Sequence, residues 1–275
     1  MNISPRTALR PVARQALSVI ERFVGFQTDP TGYLPNRYKM FSGKFQKYLL
    51  DAILNALPEN GTFADVGANV GYFSRQCASR FPQAKIYAFE PNPRIYPLLQ
   101  KNLKRFTNCE LFQVGLGASD AVSEFFHGEE STVGSFVPGY TKQHGSYYKR
   151  PIETSSASVR TGDSILSHLG VVDVMKLDVE GYEVEVLMGM QKLFAEHAIK
   201  TLFFEFAPFA QRAANRRPEE IIQILAKAGY EIRQMEAERE DAFVTTENVD
   251  ALISELGENG ATDLRATPSL SIKSL

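Results

Sequence analysis

Phe63-Ala64-Asp65-Val66-Gly67-Ala68-Asn69-Val70-Gly71-Tyr72-Phe73-Ser74 reads as a buried strand running into a glycine turn and then a helix. An open α/β sheet holds a nucleotide-like ligand at its carboxyl edge with this arrangement. Gly67 and Gly71 supply positive φ and close backbone approach. Asp65 ends the strand, where a carboxylate accepts hydrogen bonds or pairs with a cation. A dinucleotide turn would read G-x-G-x-x-G and leave the helix N-terminus free for a pyrophosphate. Asp65-x-Gly67-x-x-x-Gly71 stands here instead, and its carboxylate repels phosphate but suits a ligand bearing an ammonium group. The plainer role for Asp65 is a helix cap.

Outward from that stretch, strand and helix alternate from Gly61 onward, the signature of a parallel sheet covered on both faces. Strands are predicted over residues 62–66, 85–90, 110–114, 171–179 and 199–207, with helices over 72–80, 93–105, 183–196 and 218–229. After Gly117 the alternation breaks. Residues 121–127 read as a strand, and 128–151, rich in Gly, Ser, Thr and Tyr, form an insertion. Regular order returns at 157–160, and residues 230–235 and 242–246 read as a hairpin closing the sheet. Past Asn248 the chain is polar with a weak helical stripe, and its last dozen residues are expected to be disordered. The resulting division is an N-terminal helical extension and cap (1–60), a main domain (61–248, with an insertion at 121–156) and a polar C-terminal tail (249–275).

A chain of 275 residues, 44% hydrophobic and 23% charged, suffices for one large catalytic core plus a smaller appendage. The net charge of −2 argues against nucleic-acid binding. Charge is uneven, however: residues 1–50 carry eight Lys/Arg against Glu21 and Asp29, while 235–275 carry nine Asp/Glu against three basic residues. Residues 6–24 place Leu9, Ala13, Ala16, Leu17, Ile20, Phe23 and Val24 at helical spacing, with Arg6, Arg10, Arg14 and Arg22 largely off the stripe. Such a basic amphipathic helix can lie on an anionic membrane surface, cover the main domain or pair with a second copy, so peripheral membrane contact and a homodimer both stay open. The loop at 28–43, with Tyr33, Tyr38 and Phe41, either covers a ligand or simply connects. No apolar run approaches the ~20 residues that span a bilayer. Cys77 and Cys109 lack metal-ligand spacing and read as reduced structural thiols, and a cytoplasmic location is expected.

Three further stretches carry chemistry. Glu90 ends the second strand, where an acidic residue binds ribose hydroxyls or sits as a solvated strand end. Paired with Asp65, it favours a cationic nucleoside such as S-adenosylmethionine. The strand Asp173-Val174-Met175-Lys176-Leu177-Asp178-Val179-Glu180-Gly181-Tyr182-Glu183 should be apolar throughout if it is central and doubly covered, and Lys176 breaks that rule. A period of two sends Lys176, Asp178 and Glu180 to one side. A buried lysine must be paired, so Lys176 either stiffens the strand end through a carboxylate or serves catalysis. Glu205 stands alone among Phe203, Phe204 and Phe206 near the end of the neighbouring strand. Asp178, Glu180 and Glu205 can converge on an acceptor hydroxyl or a divalent cation. A metal, held by Asp178 and Glu205, is the less favoured reading, because Lys176 can neutralise the cluster. In the insertion, His144 is a candidate base, and Tyr140, Tyr147 and Tyr148 can stack on a sugar or pack their own loop.

Residues 63–71, then Phe89-Glu90-Pro91-Asn92-Pro93, then Lys176-Leu177-Asp178-Val179-Glu180-Gly181-Tyr182-Glu183 closely resemble the FkbM family of S-adenosylmethionine-dependent methyltransferases. The resemblance implies a class I methyltransferase fold, a Rossmann-like three-layer sandwich with a mostly parallel seven-stranded sheet whose last strand is antiparallel. It implies O-methyl transfer to a small molecule, sugar or glycan. It also places Asp65, Gly67, Asn69 and Gly71 at the methionyl side, Glu90 at the ribose and Asn92 and Gly115 near adenine. Lys176, Asp178, Glu180 and Glu205 are left as candidates for the acceptor's proton. The rival readings are a nicotinamide-dependent oxidoreductase on a similar sheet, disfavoured by the missing G-x-G-x-x-G, and a non-catalytic, membrane-associated cofactor-binding module.

Overall fold

The computed structural model describes residues 26–27, 40, 46–128, 134–140, 152–235 and 242–269. The helix expected over 6–24 and the loop expected over 28–43, Met40 excepted, lie outside the described residues, as do His144, Tyr147 and Tyr148. A first helix, α1 (Lys47–Ala56), leads into β1 (Thr62–Val66), and α2 (Tyr72–Arg80), β2 (Lys85–Phe89), α3 (Tyr96–Leu103) and β3 (Cys109–Phe112) follow. Next come β4 (Gly115–Leu116), β5 (Ala121–His127), β6 (Glu153–Arg160), α4 (Gly162–Leu166) and β7 (Val172–Leu177). The chain continues through α5 (Glu183–Met188), α6 (Gln191–Ala195), β8 (Ile199–Phe206), α7 (Pro208–Ala213) and α8 (Glu219–Lys227). Among the described residues the last elements are β9 (Tyr230–Gln234), β10 (Phe243–Val244), α9 (Val249–Leu256) and β11 (Thr262–Pro268).

Successive residues of β1 face opposite layers, as a pleated strand requires. Ala64 and Val66 join the cluster containing Val184, Leu187 and Leu193, whereas Phe63 joins the cluster of Leu50, Ile53, Phe73 and Cys77. Helices therefore cover both faces, and burying a side chain such as Phe63 contributes ~1.5–3 kcal/mol. The main sheet runs β10-β9-β11-β8-β7-β1-β2-β3, and β4-β6-β5 make a small second sheet. Strands β3, β2, β1, β7 and β8 pair in parallel, while β11 is antiparallel to both β8 and β9. The chain leaves β1 toward β2 on one side and returns to β7 on the other, so the strand order reverses between β1 and β7. Ligands of open α/β sheets bind at the carboxyl edge of such a point.

Several expectations are corrected. The predicted hairpin of β9 and β10 forms, but the two-residue β10 is an eighth strand on the edge, and the antiparallel strand that closes the sheet is β11. Residues 262–268, expected within a polar and partly disordered tail, are thus an interior strand with Leu264 and Ala266 fully buried. Asp263, Arg265 and Pro268 mask that strand in the sequence, and only pairing along both edges forms it. The helix predicted over 183–196 splits at Gly189, where a Cβ would lie 2.0 Å from the Gly117 carbonyl oxygen. The insertion begins and ends as the arms of an antiparallel ladder, Ala121↔Val159 to His127↔Glu153, whose polar β6 is longer than the serine-rich sequence suggests.

Candidate active site

The turn from β1 to α2 builds one wall. Gly67, Asn69 and Gly71 all have positive φ, at 80°, 50° and 82°. A Cβ on Gly67 would lie 1.9 Å from the backbone oxygen of Asp178, so only glycine lets this turn touch the end of β7. Gly71 begins α2 without a side chain to cap it. Asp65 fills that role from the strand: its Oδ2 accepts from the Ser74 N–H at 3.1 Å and the Ser74 hydroxyl at 2.6 Å. Its Oδ1 lies 3.7 Å from Lys176 Nζ and has no hydrogen-bond partner among the described residues. Fully buried, Asp65 stands behind the cavity wall and acts as the helix cap. Burial raises its pKa above the usual carboxylate value, against the pull of Lys176 and Ser74.

Glu90 follows β2 and is also buried. Its Oε2 accepts from the Asn69 N–H and its Oε1 from the Asn92 N–H, both at 2.8 Å, which locks the β1–α2 turn to the end of β2. Burial pushes its pKa up to about 7 despite those two donors. Asn92 accepts from the Arg94 N–H at 3.0 Å and so fixes the segment beside Glu90. Next to it, a Cβ on Gly115 would come within 2.4 Å of Phe136. Phe136 is wedged between Phe125 and Tyr182, each with its ring centroid 5.1 Å away.

The second wall comes from the ends of β7 and β8. Asp65 and Lys176 are register partners on β1 and β7. Lys176 Nζ donates to the Gly67 carbonyl at 3.3 Å, lies 3.2 Å from Asp178 Oδ2, and sits 5.3 Å from the centre of the Phe73 ring. The expected pairing of Lys176 with a carboxylate is therefore present. Burial opposes its charge, but Asp178 and Asp65 more than offset that and hold the ammonium above its ordinary pKa. The alternation argument needs correction beyond this point: β7 ends at Leu177, and Glu180 has a positive φ of 57°. A turn, and not strand pleating, brings Glu180 back beside Asp178. Glu183 holds that turn by accepting from the N–H groups of Val179 at 3.1 Å and Gly181 at 3.3 Å, and itself accepts from Gln211.

Asp178, Glu180 and Glu205 each present a carboxylate oxygen within 4.8 Å of the others. Burial, and then the charge of Asp178, raises the Glu180 pKa well above its usual value; burial followed by Asp178 and Glu180 does the same to Glu205. Tyr140 donates its hydroxyl to Glu180, and Ser135 donates to the Glu180 carbonyl at 2.7 Å, so residues 134–140 fold back onto this wall. Behind it, Asp263 of β11 is the register partner of Glu205 and accepts from Tyr48.

Both walls face one cavity of about 240 Å³, lined by Gly67, Asn69, Glu90, Asn92, Gly115, Lys176, Asp178, Glu180 and Glu205. Nine of the eleven candidates expected to touch a ligand or the acceptor's proton line it directly; Asp65 and Gly71 support it from behind. Sequence reasoning missed the donor role of Tyr140, the aromatic wall of Phe136 and Tyr182, and Gln46. It also missed Asp263 and Tyr48. All but Tyr182 come from segments far along the chain from the motifs, where local spacing carries no signal.

Comparison with known proteins gives the family. The Methyltransferase FkbM domain matches residues 65–232, more than half of the chain. The hexuronic acid methyltransferase AglP of Haloferax volcanii is 26% identical over 196 residues, covering 70% of this chain and 72% of that protein. The 2-O-methyltransferase NoeI of Sinorhizobium fredii is 27% identical over 134 residues, covering 46% and 55%. The AMB antimetabolite synthetase AmbE of Pseudomonas aeruginosa is 24% identical over 223 residues; the match takes in 68% of this chain but only 10% of AmbE's length. Among the described residues, no helix is long and apolar enough to cross a membrane. With the Methyltransferase FkbM domain matched over residues 65–232, more than half of its length, the chain belongs to the FkbM family of methyltransferases.

Proposed function

We propose that this protein transfers a methyl group from S-adenosylmethionine to a hydroxyl oxygen of a small molecule or carbohydrate. The observation that carries the reading is a single cavity with Glu90 and the Gly67–Asn69 turn at one end and Asp178, Glu180 and Glu205 at the other. The residues suit the cofactor chemically. Glu90 is a buried acceptor at the cavity wall, fit for ribose hydroxyls, and Asn92 and Gly115 border a slot closed by Phe136. Glu90, the carboxylate that faces the cavity at this turn, suits a cationic nucleoside. The names of AglP and NoeI support a sugar hydroxyl as the acceptor.

When bound, S-adenosylmethionine supplies an electrophilic methyl group on sulfonium. The protein's own task is to align the acceptor oxygen and take its proton. Glu90, held by the Asn69 and Asn92 N–H groups, fixes the nucleoside end. Lys176 ties Asp178 to the Gly67 carbonyl, setting the distance between the two ends. The acidic trio receives the hydroxyl proton, and the raised pKa of Glu180 and Glu205 makes their carboxylates stronger proton acceptors. Tyr140, from residues 134–140, donates its hydroxyl to Glu180 on that wall. Membership in a methyltransferase family leaves no ground for the oxidoreductase alternative.

Calorimetry tests the cofactor assignment. S-adenosylmethionine should bind, and Glu90→Gln should weaken it about tenfold, or ~1.4 kcal/mol. Equal affinity in the variant would remove Glu90 from the cofactor site. Transfer of labelled methyl to a panel of monosaccharides, with the product's O-methyl group identified by NMR, tests the acceptor; label found only on nitrogen or carbon would overturn it.

A further inference from the structure

We infer that Asn102 is a positioning residue of the cofactor site, its amide joining residues 26–27 of the N-terminal extension to the cavity-lining turn between β1 and α2. Its part rests on the S-adenosylmethionine reading of that cavity and brings in a segment that none of the motifs covers.

Leu99, Asn102 and Leu103 form the buried face of α3, at the spacing of one side of a helix. A Cβ on Gly71 would come within 2.7 Å of Leu99, so this face packs directly behind the turn. Asn102 is 1% exposed, and an amide among leucines is costly unless it is bonded. Its Nδ2 donates to the Val70 carbonyl at 2.7 Å and to the Gln27 carbonyl at 2.6 Å, and its Oδ1 accepts from the Gln27 N–H at 2.6 Å. The Val70 bond helps to decide where α2 begins. One more residue of helix would pair the Ser74 N–H with the Val70 carbonyl. Asp65 takes that N–H and Asn102 takes that carbonyl, so two buried side chains leave Asn69 and Val70 in the turn that lines the cavity.

The Gln27 bonds use both backbone groups of one residue, as a neighbouring strand would. Beside them Phe26 is buried, its ring centre 6.5 Å from that of Tyr72 and 5.3 Å from the Arg75 guanidinium. Val70 and Tyr72 both line the cavity. Residues 26–27 therefore reach the cofactor turn twice, through the Asn102 amide and through a ring contact. Coupling of this kind is reciprocal: docking of residues 26–27 favours the cofactor to the extent that the cofactor favours docking.

Calorimetry with S-adenosylmethionine on the full chain tests the coupling. Asn102→Leu should weaken binding about tenfold and Phe26→Ala several-fold. Asn108→Leu is the control, because the Asn108 side chain also donates to two carbonyls, those of Phe81 and Ala84, but at the opposite edge of the sheet. Its affinity should stay at the parent value. Urea transitions show which variants fold, and if Asn102→Leu does not, Phe26→Ala carries the comparison. Parent affinity in the folded variants, or an equal loss in Asn108→Leu, overturns the positioning role. Hydrogen exchange gives a readout without variants: the Gln27 amide of the parent should exchange about fivefold more slowly once the cofactor saturates. Unchanged exchange overturns the coupling as well. A parent chain that binds no S-adenosylmethionine overturns the cofactor reading itself, whereas binding in the parent with no change in the variants sinks the part of Asn102 alone.

Discussion

The two ends of the cavity solve opposite electrostatic problems. At the β1–β2 end, Asp65 and Glu90 are buried acids held by fixed donors: Ser74 on Asp65 Oδ2, and the Asn69 and Asn92 N–H groups on the two oxygens of Glu90. At the β7–β8 end, Asp178, Glu180 and Glu205 crowd against one another, with Tyr140 donating to Glu180 and Lys176 to Asp178. A satisfied carboxylate is a rigid part of a frame. A crowded one is poised to take up positive charge, whether a proton or a cation. The contrast is what the proposed function asks of one sheet edge that is both to hold a ligand and to act on it.

Removing the cation between the two ends should have the largest effect. Lys176 is 3% exposed and serves Asp65 on one side and Asp178 on the other. Lys176→Met strands Asp65 in the interior and should cost about 3–5 kcal/mol in a urea titration. Unchanged stability would show that the two ends are not joined through this residue.

A pH series separates the ends more gently. Glu90 ionises at about 7, above its usual value, because burial disfavours the charge. On the proposed function, the carboxylate form offered to ribose hydroxyls is therefore gained as pH rises through about 7 and lost as it falls. Cofactor affinity should drop about tenfold from pH 8 to pH 6, and Glu90→Gln should flatten that step. A profile that is the same in both proteins would assign the step elsewhere.

Tyr140→Phe should have the smallest effect and confine it to the acidic end. Losing the hydroxyl that Glu180 accepts should lower kcat several-fold, in line with ~1.5 kcal/mol for a hydrogen bond to a charged group, while cofactor affinity holds. Weakened cofactor binding would mean that the ends are not separable.

The same contrast governs what could be read from the sequence. The β1–α2 end is written in contiguous residues: an apolar run, then glycines where a side chain would strike Asp178 or Leu99. Glu90 was legible because a strand end is a local event. At the other end, Lys176 and Glu205 stood out as charges in apolar strands, yet the route that joins Glu180 to Asp178 is a left-handed turn, and period-two reasoning does not reach it. Tyr140, Gln46 and Asp263 enter through long-range packing. The interior strand β11 stayed hidden because its two pairing partners, and not its own polar residues, make it a strand.

That strand has a consequence for how the protein is made. Until Thr262–Pro268 leaves the ribosome, β8 and β9 face each other across an unfilled slot, each with an open row of backbone donors and acceptors. A nascent chain halted earlier would display two sticky edges beside Glu205, a form that chaperones must shield or proteases clear. Pairing of Thr262–Pro268 along β8 also sets Asp263 beside Glu205, so the strand that fills the slot backs the acidic wall as well.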